Sequence, residues 1–196
     1  PGAATRVSLA PNGGRHVREA NAELRERLAH ITRAPEFFQL PPPDGSKLNA
    51  MRILPPDFDS TRKYPVLMYV YGGPGSQTVI DEYGGDRYLW HEMLARKGIL
   101  VVSVDNHGTG ARGAAFRDVV YEHLGIHESD DQIAAAKWLG AQAWVDPARI
   151  GTWGGSHGGH TAARHPLRGR PPAPAPIPGP PAPAWPPHHP PPPPPP

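Results

Sequence analysis

Arg149-Ile150-Gly151-Thr152-Trp153-Gly154-Gly155-Ser156-His157-Gly158-Gly159 is the stretch on which the reading of this chain turns. Residues 149–153 predict a strand, and Gly-x-Ser-x-Gly between a strand and a helix is a nucleophile elbow. A serine held on so sharp a turn points its hydroxyl out of the sheet. Two residues to either side the chain passes too close to its neighbours for a β-carbon, which makes Gly154 and Gly158 the elbow glycines. The helix beyond directs the positive end of its dipole at an anion forming over the serine. Ser156 is therefore the candidate nucleophile. The plain alternative is a glycine-rich turn with an idle serine.

Upstream, strands and helices alternate. Val66–Tyr71 reads as a buried strand ending in the glycine loop Gly72-Gly73-Pro74-Gly75. Asp86–Lys97 carries Leu89, Met93 and Leu94 at helical spacing, and Gly98 stops it. Ile99–Val104 is a second apolar strand, closed by Asp105-Asn106-His107-Gly108-Thr109-Gly110. Helices are expected over about 114–124 and over 130–142. Ser129 and Gln132 form a capping box for the second, with Asp130 and Asp131 as charges at its positive end. Asp146-Pro147 turns the chain into the strand that carries the elbow. Before all this, Glu36–Leu40 and Leu48–Leu54 read as two short strands around Pro43-Asp44-Gly45, and 20–31 as a helix.

Parallel neighbours need crossover connections, so strand-helix-strand-helix-strand predicts an α/β fold with a parallel sheet and helices on both faces. With the elbow it is an α/β-hydrolase fold. In that fold the serine follows the fifth strand, and an oxyanion donor comes from the loop after the third. Counting back from Ser156 puts that loop at Tyr71-Gly72-Gly73-Pro74. The rival stretch His107-Gly108-Thr109-Gly110 lies one strand too late.

Residues 63–67 (Lys-Tyr-Pro-Val-Leu) and 70–77 (Val-Tyr-Gly-Gly-Pro-Gly-Ser-Gln) resemble the start of the catalytic domain in the prolyl oligopeptidase family of serine peptidases. The Tyr-x-Gly-Pro form is that of its dipeptidyl-peptidase-IV branch. Residues 102–110, Asp131-Gln132-Ile133, 144–151 and the elbow continue in the family's order, over roughly 35–163. The resemblance implies Ser156 as nucleophile, with the backbone N–H of His157 and the phenol of Tyr71 as oxyanion hole. It implies a peptide substrate, cleaved two residues at a time after proline or alanine, and full-length relatives that are often homodimers. Residues 1–34 resemble the end of the β-propeller that precedes this domain. Position 155 is normally Trp in this branch, and 157 and 160 are normally Tyr; here they are Gly, His and His, which changes the wall beside the serine.

A serine hydroxyl needs a histidine to take its proton and a carboxylate to orient that histidine, and in this fold both follow the serine. After Ser156 the sequence holds no Asp or Glu, and its histidines are His157, His160, His165, His188 and His189. Asp105 and His107 precede the serine, the wrong order for a triad. The expectation is a truncated catalytic domain, inactive by itself. From 164 onward the chain turns to Pro, Ala, Arg and His, a composition that forms no core and favours a disordered, polyproline-like tail. Translation of GC-rich DNA in a wrong frame accounts for so abrupt a change; a genuine ligand for an SH3- or WW-type groove is the alternative. An esterase or lipase on the same fold is a further alternative for the activity.

Composition narrows the rest. The 196 residues hold 20 Lys+Arg, 18 Asp+Glu, 11 His, 22 Gly, 29 Pro and no Cys. Acidic residues stop at Asp146, so the small positive excess belongs to the tail and marks no nucleic-acid surface. The longest apolar runs are about 7 residues, against roughly 20 for a membrane span. Without cysteine there is no disulfide framework and no thiolate site. No histidine pair has the spacing of a helical metal motif, and the expected chemistry needs no metal or cofactor. No charged-then-apolar leader opens the sequence. Localisation stays open between periplasmic or secreted and cytoplasmic.

Overall fold

The computed structural model describes residues 6–9, 15–19, 22–29, 34–41, 45–168 and 175–178. Strands β1 (Arg6–Leu9) and β2 (Arg15–Glu19) form an antiparallel pair, followed by helix α1 (Ala22–Ala29). The rest is built on β3 (Glu36–Leu40), β4 (Leu48–Ile53), β5 (Tyr64–Tyr69), β6 (Leu100–Asp105), β7 (Val145–Gly154) and β8 (Ala175–Pro178). These six lie side by side in the order β3-β4-β6-β5-β7-β8. From β6 to β8 every pairing is parallel, whereas β3 and β4 pair antiparallel with each other and β4 with β6. The sheet is therefore mixed, with the predicted parallel strands at its centre and the two short strands completing one side.

Helices α2 (Gly85–Arg96), α3 (Ala114–Arg117), α4 (His127–Gly140) and α5 (His157–Arg168) make the remaining layers. Alternation along the strands sends their side chains to opposite faces. Leu100, Val102 and Val104 of β6 join Val66 and Met68 of β5 against Ala135, Ala136 and Leu139 of α4. Val101 faces the other way, with Ile53, against Tyr88 and Ala95 of α2. All six residues of β6 are buried, as a strand covered on both faces must be.

Three boundaries differ from the sequence expectation. The helix expected over 114–124 is a single turn, α3, followed by a 3₁₀ turn at Asp118–Val120. Val120 is buried while Val119, Tyr121 and Leu124 face solvent, so these apolar residues never formed one stripe. The second helix begins at His127, before the expected capping box. Ser129 lies inside it and donates its hydroxyl to the Gly125 carbonyl at 2.7 Å. Gln132 crosses to the sheet and donates to the Val104 carbonyl at 2.8 Å and to Asn106 Oδ1 at 3.1 Å. Both side chains are fully buried, and a bond back to Gly125 for Ser129 and tertiary bonds for Gln132 displaced the local cap.

The third difference is in the tail. Helix α5 continues to Arg168, and Ala175–Pro178 pairs parallel with β7, Gly151 against Ala175 through Gly154 against Pro178. Prolines are tolerated there because β8 is the outer strand, with one side free of ladder bonds. The remaining tail lies outside the described residues, as do Pro43 and Asp44 of the expected turn and both ends of the predicted 20–31 helix.

On the α2 face His91 is 2% exposed, its ring 5.1 Å from that of Tyr69 and 5.4 Å from that of Trp90. Burial, helped by the Arg87 charge, pulls its pKa from 6.5 down to about 4. The unfolded chain thus binds a proton that the fold refuses. This contribution to stability is complete above pH 6.5, is lost as pH falls towards 4, and is on the order of 3 kcal/mol. Urea denaturation between pH 7 and 4 should show a steeper loss of stability in the wild type than in His91→Phe. In the same assay Leu139→Ala, at a fully buried position, should cost about 2–5 kcal/mol. The exposed Met93→Ala should stay within about 0.5 kcal/mol.

Candidate active site

Ser156 joins β7 to α5 with φ 55, a left-handed conformation that costs a serine about 1–3 kcal/mol. Its carbonyl accepts the His160 N–H at 3.1 Å, the first hydrogen bond of α5, so Ser156 caps the helix. The elbow glycines are needed where the sequence put them. A β-carbon on Gly154 would strike the Val70 carbonyl oxygen and lie 2.6 Å from the Gly158 carbonyl carbon. On Gly158 it would strike the same Val70 oxygen and lie 2.9 Å from Tyr71 Cα. Gly155 has nothing within 4 Å, and Ser156 beside it is exposed.

The same contacts bring Tyr71 to the elbow. It leaves the end of β5, the strand next to β7, and its ring centroid is 6.3 Å from that of His157. Tyr71 is 37% exposed. The loop after it is pinned from β6. Gly72 has φ 69, and a β-carbon there would sit 2.5 Å from Asn106 Oδ1. Asn106, fully buried, donates from Nδ2 to the Gly72 carbonyl at 3.1 Å and to the His107 carbonyl at 2.6 Å. Gly75 donates its N–H to the Gly108 carbonyl at 2.8 Å. The rival stretch 107–110 follows β6, which β5 separates from β7. It supports the Tyr71 loop from behind.

Asp105 and His107 have structural partners. Asp105 accepts from the Thr78 N–H at 2.8 Å and its hydroxyl at 2.9 Å; burial raises its pKa against these lowering bonds. His107 stacks on Phe116 at 4.3 Å and is tied to Asp131 Oδ2 by both its backbone N–H and Nδ1, each at 2.7 Å. Asp131, expected as a charge at the start of the helix, instead holds α4 to the loop after β6.

A pairing the spacing gave no sign of lies beneath the elbow. His157 Nε2 and Glu128 Oε1 face each other at 3.7 Å, too long for a hydrogen bond, and both atoms are buried. Glu128 Oε2 accepts the Gly125 N–H at 2.8 Å. Burial works against the Glu128 charge, but the His157 imidazole and the backbone N–H groups outweigh it and hold the carboxyl below the ordinary glutamate range. His160, one turn further along α5, is exposed. Among the described residues no three His, Asp or Glu side chains gather as a metal site.

Residues 88–165 match the prolyl oligopeptidase family. A probable dipeptidyl-aminopeptidase B of Paracoccidioides lutzii is 44% identical over 146 residues, 74% of this chain but 16% of that protein. The fold superposes on the crystal structure of Porphyromonas gingivalis dipeptidyl peptidase 4 with a TM-score of 0.75 and 45% identity, over 82% of this chain and 23% of that one. A putative dipeptidyl aminopeptidase IV of Bacteroides ovatus gives 0.64 and 36%, over 68% and 19%. The chain thus spans less than a quarter of each of these relatives. What the elbow and the Tyr71 loop suggested in sequence, the comparisons make definite: this chain carries a segment of the prolyl oligopeptidase family, on an α/β-hydrolase fold.

Proposed function

We propose that Ser156 is the nucleophile of a dipeptidyl-aminopeptidase-like serine peptidase acting by an acyl-enzyme mechanism. The observation that carries this reading is Ser156 at φ 55 between two glycines that cannot accept a β-carbon. Such strain on one exposed serine is maintained only where the surrounding structure over-determines it. The hydroxyl would attack the peptide carbonyl. The negative charge forming on the carbonyl oxygen would be met by the His157 N–H, unpaired at the helix start, and by the phenol of Tyr71. Each such donor is worth about 3–4 kcal/mol of barrier. The substrates would be peptides with proline or alanine second, released as N-terminal dipeptides.

The attack also requires the serine proton to leave, and no acidic residue follows Ser156 to orient a base. This 196-residue chain by itself is therefore an incomplete catalyst. The tail after 163 is a frameshift product in this reading, and the antiparallel pair β1–β2 the last part of a propeller.

Purified chain incubated with Gly-Pro-p-nitroanilide should release no more nitroaniline than its Ser156→Ala variant. Steady Ser156-dependent turnover would require a base that this reading lacks. The elbow itself is tested by stability. Gly158→Ala should cost at least about 3 kcal/mol or prevent folding, because the new methyl meets backbone that cannot move aside. Gly155→Ala should change the urea midpoint by less than about 0.5 kcal/mol equivalent. Equal effects would mean the turn is not built as described.

A further inference from the structure

A cleft of about 440 Å³ opens beside this site, walled by Pro74, Val120, Tyr121 and Leu124. It is continuous with the proposed oxyanion loop, since Pro74 and Gly75 line it and lie three and four residues after Tyr71. Its two walls are fixed to each other. Gly75 binds the Gly108 carbonyl, and Gly108 lies so close to Val120 that a β-carbon would sit 2.9 Å from Val120 Cγ1. The far wall then runs on to Gly125, where a β-carbon would lie 3.0 Å from Arg164 Nη1 and 3.2 Å from His160 Cε1 of α5, and to Glu128 beneath His157. The segment 120–128 thus bridges the Tyr71 loop and the helix that follows Ser156.

A second observation concerns Glu122, whose φ is 59. With Ala111 and Ser156 it is one of three described non-glycine residues in that region. The kink at Glu122 follows Tyr121, where the backbone has already left the 3₁₀ turn with ψ 129, and Tyr121 is 76% and Leu124 54% exposed at the cleft. Arg117 and Asp118 at the margin bind each other at 2.6 Å, and the exposed Glu122 adds a negative charge to the lining. Ser156, Tyr71 and His157 do not line the cleft, so it is not the pocket for the residue whose carbonyl reacts.

We propose that this cleft is a peptide subsite taking an apolar side chain, aliphatic or aromatic, next to the dipeptide at Ser156, with Tyr121 and Leu124 setting the preference. It rests on the peptidase reading above. Burying such a side chain against tyrosine and leucine favours binding, and Glu122 disfavours an acidic one.

The test uses the full chain labelled with nitrogen-15 and titrated with blocked peptides Ala-Pro-Ala-X and Ala-Pro-X-Ala, X being Phe, Leu, Gly or Asp. At one of the two positions Phe or Leu should bind at least about fivefold more tightly than Asp, with shifts at Tyr121 and Leu124. The preference should vanish in the double variant Tyr121→Ala, Leu124→Ala, whose solvent-exposed positions leave the core untouched. Glu122→Lys should remove the penalty on Asp while keeping that on Gly. Peptides that shift Tyr71 and His157 without any dependence on X, or a preference that survives the double variant, would overturn the subsite and leave the peptidase reading intact. Peptides that shift neither Tyr71 nor His157 would overturn both.

Discussion

The Val70 carbonyl is the atom around which this structure is arranged. It sits one residue past the end of β5, and both elbow glycines are folded against it. The approach is possible because β5 and β7 are parallel neighbours, and because the Val70 N–H continues their ladder into the Trp153 carbonyl at 2.9 Å. Once that register is set, the chain leaving β7 has one route, back over Val70. A residue on that route with no room for a β-carbon on either side must rise out of the sheet, which is where Ser156 stands.

The same register places Tyr71. The residue after Val70 necessarily emerges beside Gly158, so the proposed nucleophile and the proposed phenol donor are positioned by one strand pair and not by two independent loops. What the loop after Tyr71 needs is support from the other side. Asn106, Gly108 and Gly110 supply it with hydrogen bonds from the end of β6. Asn106 is itself held by Gln132 of α4, so the chain of buried polar contacts runs from the second crossover helix to the Tyr71 loop. The NH2 groups of both buried amides have their hydrogen bonds made, such bonds are costly to disturb, and this rigidity is what a donor aimed at a developing charge requires.

What could be read from the sequence follows from how local each constraint is. The elbow was legible because its geometry is dictated within five residues, and the Tyr71 loop because counting strands needs only apolar runs. The start of α4 was misread because Ser129 and Gln132 fit a local capping rule, whereas in the fold Ser129 bonds back to Gly125 and Gln132 makes tertiary bonds to Val104 and Asn106. The helix expected after Ala114 failed for a related reason, since Val119, Val120, Tyr121 and Leu124 are apolar without sharing a face. Glu128 beneath His157 left no trace in spacing. The two meet because α4 and α5 pack together, and an acid near a helix start is ordinarily a surface charge.

That buried acid bears on whether a histidine near the elbow could replace the missing base. His157 is the nearest by sequence, but its Nε2 is buried and faces Glu128 Oε1 at 3.7 Å, whereas Ser156 is exposed. Burial works against the Glu128 charge, but the imidazole and the backbone N–H groups beside it hold the carboxyl below the ordinary glutamate range. A general base has to reach the proton it takes, and an imidazole nitrogen enclosed beside a buried carboxylate is poorly placed for that role. His160 lies a turn further on, beside Gly125, against the far wall of the cleft. His157 therefore packs beneath the elbow and His160 beside Gly125, and neither is placed by this geometry as the partner of the proposed nucleophile.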